Sequence, residues 1–394
     1  MQTRDVVILS GVRTAIGDYG GALKDVPPTQ LAATCVREAV VRSGLAPAEI
    51  GHAFFGNVIH TEPRDMYLAR VAALEGGLPA DVPALTLNRL CGSALQAIVS
   101  AAQAIMLGDA DTAVAGGAES MSRAGYLVPA MRWGQRMGDG VMIDAMVGAL
   151  TDPFGSGHMG VTAENVAKRY GLTREAQDAF AAESHRRAAA AIAEGRFDQQ
   201  IVPVSVKTRK EVVQVVRDEH VRGDTTVDSL AKLKPAFAKD GTVTAGNASG
   251  LNDGGGALVL MEAGAAARRN LKPLARIVAY GHAGVSPDVM GLGPIQAVRT
   301  ALVRAGLSIA DMDVIESNEA FAAQALAVAR DLDFPAERTN PNGGAIALGH
   351  PIGATGAIIA VKAAYELQRI QGRYALVTMC IGGGQGIALV LARE

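Results

Sequence analysis

Three reactive side chains sit in runs of small residues: Asn88-Arg-Leu-Cys91-Gly-Ser-Ala94, Ala347-Leu-Gly-His350-Pro-Ile-Gly353 and Thr378-Met-Cys380-Ile-Gly-Gly-Gly384. A thiol beside glycine, between an apolar stretch and a helix-like one, stands where backbone N–H groups point outward and is expected to have a lowered pKa. Cys380, followed by three glycines that fill no volume, has no packing reason to be there; glycines admit close approach of a ligand or another backbone. His350, between Gly349 and Pro351 at the tip of a loop, is placed to act as a base. One nucleophile, one base and one further thiol point to carbon–carbon chemistry on a thioester. The third cysteine, Cys35, lies in the amphipathic helical run Leu31 to Val40 and is assigned to the core.

The elements that position these residues follow from an internal repeat. Ala39-Val-Val-Arg-Ser-Gly-Leu45 returns as Ala301-Leu-Val-Arg-Ala-Gly-Leu307, 262 positions later. Both copies run through an acidic turn into apolar strands ending at Phe54-Phe-Gly-Asn57 and Val314-Ile-Glu-Ser-Asn318. Shifted by the same amount, Cys91 falls three residues from His350, so the two belong to equivalent strand-to-helix turns of related halves. After each comes an apolar helix, Leu95 to Met106 and Ala357 to Leu367, then a strand, Thr112 to Ala115 and Ala375 to Met379. Strands alternating with helices give βαβ units, with the ligand site at the strand C-terminal ends.

Between the halves the pattern changes. Residues 119–249 hold methionine- and glycine-rich loops, a helix near Thr162 to Tyr170, another near Thr173 to Glu194 and a basic β-like stretch. Thr162 and Thr173 are the expected N-caps, and Gly195 closes the second helix. Lys207-Thr-Arg-Lys210 and Arg222 supply local positive charge suited to a phosphorylated substrate. The expected division is 1–118 with 250–272 as the first half, 119–249 as the insertion and 273–394 as the second half.

Bulk composition narrows the class. With 37 basic and 39 acidic residues the formal charge is −2, so no whole-chain field gathers nucleic acid or an anionic membrane. Three cysteines form no disulfide framework or paired metal pattern, and the N-terminus runs directly into a strand; a reducing, cytoplasmic setting is expected. Apolar runs are expected to break well before the roughly 18 residues of a membrane helix.

Taken together, Asn88-Arg-Leu-Cys91-Gly-Ser, Gly116-Gly-Ala-Glu-Ser-Met-Ser122, His158-Met-Gly-Val-Thr-Ala-Glu-Asn165, Gly246-Asn-Ala-Ser249-Gly, Asn318-Glu-Ala-Phe321, Gly349-His350-Pro-Ile-Gly353 and Cys380-Ile-Gly-Gly-Gly384 resemble the thiolases, acetyl-CoA C-acyltransferases, over essentially the whole chain. Within that family the likeness is to short-chain biosynthetic members, and among them to the broader β-ketothiolases of bacterial polyhydroxyalkanoate synthesis, which share Thr61-Glu-Pro-Arg-Asp-Met-Tyr67. The resemblance implies an α/β thiolase fold: two βαβαβαββ halves in five αβαβα layers, with an inserted loop domain. It implies that Cys91 accepts the acyl group, His350 takes its proton and Cys380 exchanges the Cα proton of a second acyl-CoA. Asn318, through a water, and His350 would hold the enolate oxygen; the N–H groups of Cys91 and Gly382 would hold the tetrahedral intermediate. Arg222 and Ser229 match positions at the adenosine diphosphate end of coenzyme A, and Ser249 one near pantetheine. Leu150, His158, Met159, Phe237, Ala245, Met290 and Phe321 match tunnel positions. Coenzyme A is then substrate and product, and no metal or other cofactor is called for. Family members are dimers or tetramers, and Arg123 to Met146, with Trp133 and several methionines, resembles the loop that joins two dimers, a lid over the tunnel being the alternative; a homotetramer is expected. Ala94 replaces a usual glycine, and Gly157 replaces a bulkier residue, which is expected to leave room beside His158. The alternatives are a degradative long-chain thiolase, a ketoacyl-carrier-protein synthase and a silent acyl-CoA carrier.

Overall fold

The computed structural model describes residues 4–394. The first half runs β1 (Val6–Thr14), α1 (Pro28–Ser43), β2 (Ala53–Gly56), α2 (Leu68–Glu75), β3 (Ala84–Leu87), α3 (Ser93–Leu107) and β4 (Thr112–Ser120). An insertion carrying α4 (Met159–Tyr170) and α5 (Arg174–Ala193) follows, and the chain then returns through β5 (Asn252–Glu262). The second half is β6 (Ala275–Gly284), α6 (Gly293–Ala305), β7 (Val314–Ser317), α7 (Ala322–Asp331), α8 (Thr355–Ile370), β8 (Tyr374–Ile381) and β9 (Gln385–Ala392).

The strands are ordered β3-β2-β4-β5-β1-β6-β9-β8-β7, the two half-sheets meeting where β1 pairs antiparallel with β6. β2 pairs parallel with β3 and β4, and β7 parallel with β8; the pairs around β1, β5, β6 and β9 are antiparallel. β1 and β4 are buried at every residue, as strands covered on both faces must be. Their shared filling is the pair α3 and α8. Leu95, Ile98 and Ile105 of α3 pack with Val361, Ala364 and Leu367 of α8 in one core that also takes Leu258 and Leu260 from the first half-sheet and Val377 and Leu389 from the second. α1 and α2 cover the outer face of the first half-sheet, and α6 and α7 that of the second, which makes five layers.

The repeat is visible in this frame: α8 starts 262 residues after α3, and β8 starts 262 after β4. One element departs from the expected βαβαβαββ order. Where the second half should have its third strand there is only the parallel bridge Ile315–Thr339 and a one-turn helix, Ala345–Leu348. Asn340-Pro-Asn-Gly-Gly344 explains this: proline cannot donate to a ladder, and Gly343 takes φ +74°.

Two further expectations need correction. Leu90–Leu107 holds no charged residue and is long and apolar enough to cross a membrane; the structure uses this run as α3, buried between the half-sheets. Thr162 is not an N-cap. α4 begins at Met159, capped by His158, and the Thr162 hydroxyl bonds back to the Met159 carbonyl. Thr173 does cap α5, accepting from the Ala176 N–H, and Gly195 follows its end at φ +69°. Cys35 lies in α1, fully buried.

Candidate active site

The site forms where the C-terminal ends of β3, β7 and β8 face the loop before α8. Cys91 lies between β3 and α3. Leu90, just before it, adopts φ +46°, a left-handed conformation that a leucine adopts only under constraint. The constraint is local: the Asn88 side chain accepts from the Leu90 N–H (2.9 Å), while the Ser93 hydroxyl accepts from the Arg89 N–H (2.8 Å) and donates to the Leu90 carbonyl (2.7 Å). This turn puts the sulfur on the wall of a cavity of about 500 Å³.

His350 and Cys380 line the same cavity, at 5% and 1% exposure. The His350 ring is oriented from both sides. The Thr355 hydroxyl donates to the Pro351 carbonyl (2.9 Å), so its oxygen is left to accept from His350 Nδ1–H (2.7 Å). That fixes the proton on Nδ1 and leaves a lone pair on Nε2, which faces the Asn318 amide at 3.4 Å. Asn318 Oδ1 is buried and has no protein partner, an acceptor consistent with the water-mediated role implied for it.

The electrostatics reverse one expectation. Cys91 does not have a lowered pKa: burial pushes its thiol up to about 11, against the pull of the Gly382 N–H and its own N–H. Desolvation of this half-buried thiol outweighs two donors. Burial and the neighbouring Cys91 also push Cys380 up, and burial pushes His350 down to about 4. All three groups therefore rest neutral.

Of the remaining sequence candidates, Gly382, Leu150, His158, Met159, Arg222, Phe237, Ala245, Ser249, Met290 and Phe321 line the cavity. His158 accepts from the Gly160 N–H at Nδ1 (3.0 Å), which leaves Nε2–H as a donor, and its ring stacks on Phe237 at 4.9 Å. Phe237 meets Phe321 edge-on. Ser249 donates its N–H to the Ala320 carbonyl, tying the tunnel wall to the turn that carries Asn318. Ser229 is outside the cavity, exposed in a reciprocal cap with Thr226. The Lys207 to Lys210 run is the tip of an exposed hairpin, also outside it. Gly157 does not line the cavity; it closes the Thr151–Asp152 and Gly157–His158 hairpin at φ +81°, so its role is backbone conformation, not room for substrate.

Several residues at the site were not expected from the sequence, His220 of the cavity wall among them. Thr355 orients His350. Glu119, pushed up to about 8 by burial, accepts from the N–H groups of Val58, Ile59 and Gly353 and so ties the loop after β2 to the loop that carries His350. Asn252 accepts the His350 N–H. Only Glu119 carried a sequence signal, its place inside Gly116 to Ser122.

Comparison with known proteins settles the family. Residues 6–264 match the thiolase N-terminal domain and residues 271–393 the thiolase C-terminal domain. The chain belongs to the thiolase family. This thiolase is 64% identical to the beta-ketothiolase BktB of Cupriavidus necator, over 99% of this chain and 100% of that protein. Its fold superposes on the Bacillus anthracis acetyl-CoA acetyltransferase with a TM-score of 0.98 at 47% identity, covering 100% and 99% of the two chains. It also superposes on human mitochondrial 3-ketoacyl-CoA thiolase in complex with CoA, with a TM-score of 0.96 at 44% identity, covering 99% and 98%.

Proposed function

We propose that this thiolase is a short-chain β-ketothiolase, condensing two acyl-CoA molecules to a β-ketoacyl-CoA and running the reverse thiolysis through an acyl group on Cys91. The observation that carries this reading is the meeting of Cys91, His350 and Cys380 on the wall of one cavity that also reaches Arg222 and Ser249. A carrier would need none of these reactive groups, and likeness along the whole chain favours a thiolase over a ketoacyl-carrier-protein synthase.

The neutral resting groups fix the proton accounting. Cys91 Sγ attacks the thioester carbonyl while His350 Nε2 takes the thiol proton; the oxyanion faces the Cys91 and Gly382 N–H groups. The carbon–sulfur bond to coenzyme A breaks, and the departing sulfur takes the Cys380 proton. This leaves Cys91 acylated, His350 protonated and Cys380 as a thiolate. Burial makes that thiolate a strong base, suited to removing the Cα proton of a second acyl-CoA. The enolate oxygen is held by His350 Nε2–H and by the water bound to Asn318; each such donor is worth about 100- to 1,000-fold in rate. The enolate carbon attacks the acyl carbonyl, Cys91 departs and recovers its proton from His350, and all three groups return to neutral. Covalent catalysis of this kind gives ping-pong kinetics.

Arg222 and Ser229 serve the adenosine diphosphate end of coenzyme A, while His158 donates to the pantetheine or thioester region. Met159 and Met290, unbranched and adaptable, line the tunnel beside Cys380. That adaptable lining favours acceptance of propionyl as well as acetyl groups. Thiolysis of acetoacetyl-CoA, 3-ketovaleryl-CoA and a C10 ketoacyl-CoA tests the reading: the first two should be cleaved with kcat/KM values within about 200-fold of each other, the range of a methylene clash. No thiolysis of either would overturn the activity, and a C10 value above C4 would make the enzyme a degradative long-chain thiolase.

The working assembly is a homotetramer of two dimers. Tyr126, Met131, Met137 and Met142 are exposed, and Trp133 is 90% exposed, an apolar surface that a second dimer would cover. Light scattering should report four chains, and a monomer would contradict the assembly. All three cysteines are unpaired, in keeping with the reducing cytoplasm.

A further inference from the structure

Asn252, the first residue of β5, is fully buried and joins two parts of the tunnel. Its Oδ1 accepts the His350 backbone N–H (2.8 Å). Its Nδ2 donates to the Gly17 carbonyl (3.1 Å) and, at the limit of a hydrogen bond, to Asp18 Oδ1 (3.5 Å). The same carboxylate oxygen holds His220 Nδ1 (2.6 Å). His220 lines the tunnel with Arg222 and Ser249, its ring so close to Gly250 that a Cβ there would sit 2.5 Å from Cε1. A line of three side chains, His220, Asp18 and Asn252, thus runs from the tunnel wall to the backbone N–H of His350.

The contact at the catalytic end is tight. Gly349, at φ +106°, packs so closely that a Cβ on it would lie 2.5 Å from Asn252 Cγ. Asparagine suits position 252 because it alone among side chains of this length offers an acceptor for the His350 N–H and a donor for the Gly17 and Asp18 oxygens. Aspartate would keep the acceptor but set a carboxylate against two oxygens. An apolar residue would leave a buried N–H unpaired.

We infer that Asn252 is a positioning residue that couples the pantetheine arm in the tunnel to the placement of His350, with His220 and Asp18 as the contact on the substrate side. A ligand pressing on His220 acts on Asp18, and Asp18 acts on the amide that holds the His350 backbone. Binding energy from a part of the substrate remote from the chemistry is in this way spent on orienting the base. The inference rests on His350 being the group that deprotonates Cys91.

The test is a double-mutant cycle read by single-turnover acetylation of Cys91 from acetyl-CoA, with Asn252→Ala, His220→Phe and the pair. Asn252→Ala is expected to slow acetylation by 10- to 100-fold with less than a threefold change in the half-saturating acetyl-CoA concentration. His220→Phe keeps the ring against Gly250 and is expected to lower the acetylation rate by 3- to 10-fold; the pair should be no slower than Asn252→Ala alone. Independent, multiplying effects would overturn the coupling. So would a His220→Phe variant altered only in half-saturation, a result that stands even if Asn252→Ala does not fold. A wild-type enzyme whose Cys91 takes no acetyl group would instead sink the underlying activity and is recognised separately.

Discussion

The turn that carries Cys91 and the turn that carries His350 occupy equivalent places in two halves of one repeated design, each at the start of a central helix. They solve opposite problems. The first keeps the end of a strand, β3, and bends sharply through Leu90 at φ +46°, bringing a sulfur to the tunnel wall at the foot of α3. The second has lost its strand and threads a one-turn helix into a buried loop, where Thr355 and Asn318 flank the imidazole. A nucleophile needs access to a carbonyl, whereas a base needs a fixed tautomer. Burial then pushes both groups toward neutrality, the thiol up to about 11 and the imidazole down to about 4. The repeated frame thus sets the two turns in equivalent places, and the second, with a one-turn helix where the first has a strand, holds its side chain in a buried loop.

The largest effect belongs to the first turn. Cys91→Ala should lower turnover on the order of 10⁶-fold, as when other covalent nucleophiles are removed, and mass spectrometry with acetyl-CoA should find no acetyl group on the variant. Turnover persisting with acetyl on Cys35 or Cys380 would break the comparison.

For the second turn, His350→Asn should cost roughly 100- to 10,000-fold, the usual worth of a general base. Because the ring is pushed from 6.5 down to about 4, it stays neutral and basic through the physiological range. Acetylation of Cys91 should therefore hold steady on acidification and fall only as pH nears 4. The linkage has the matching sign. The unfolded imidazole takes its proton first, so this contribution to stability is complete above about pH 6.5 and is lost as pH falls toward 4. Urea midpoints across that window check the second statement; an acid limb centred at 6.5 would contradict the first.

A smaller effect sharpens the role of tautomer. Thr355→Val removes the acceptor for His350 Nδ1 while keeping the volume, an unmet buried hydrogen bond of about 1–3 kcal/mol, or roughly 5- to 150-fold in rate. The loss should fall on kcat, with KM little changed. A loss confined to KM would show that the ring needs no such anchor.

Much of the frame was legible because the repeat carries it. The short match between Ala39 and Ala301 placed α3, α8, β4 and β8 in register, and small residues marked both catalytic turns. The lost third strand was also there to be read in Asn340-Pro-Asn-Gly-Gly344. The tertiary partners were not legible: the Asn252 side chain meets a backbone 98 residues away, and nothing in a threonine five residues after a histidine says that its oxygen will accept from the ring. The left-handed Leu90 escapes sequence reading because leucine has no preference for that region; its neighbours Asn88 and Ser93 impose it. The expected low thiol pKa failed for a related reason, since sequence shows the donors beside a cysteine but not the burial that outweighs them.

The central claim is that the two thiols divide the work, Cys91 carrying the acyl group and Cys380 moving the Cα proton. It is tested most directly in Cys380→Ala, by measuring in one sample the acetyl group on Cys91 and the exchange of acetyl-CoA methyl protons with deuterated water. Acetyl on Cys91, formed slowly if the departing sulfur has lost its proton source, together with loss of exchange, is the predicted result. Exchange continuing at the wild-type rate would contradict it.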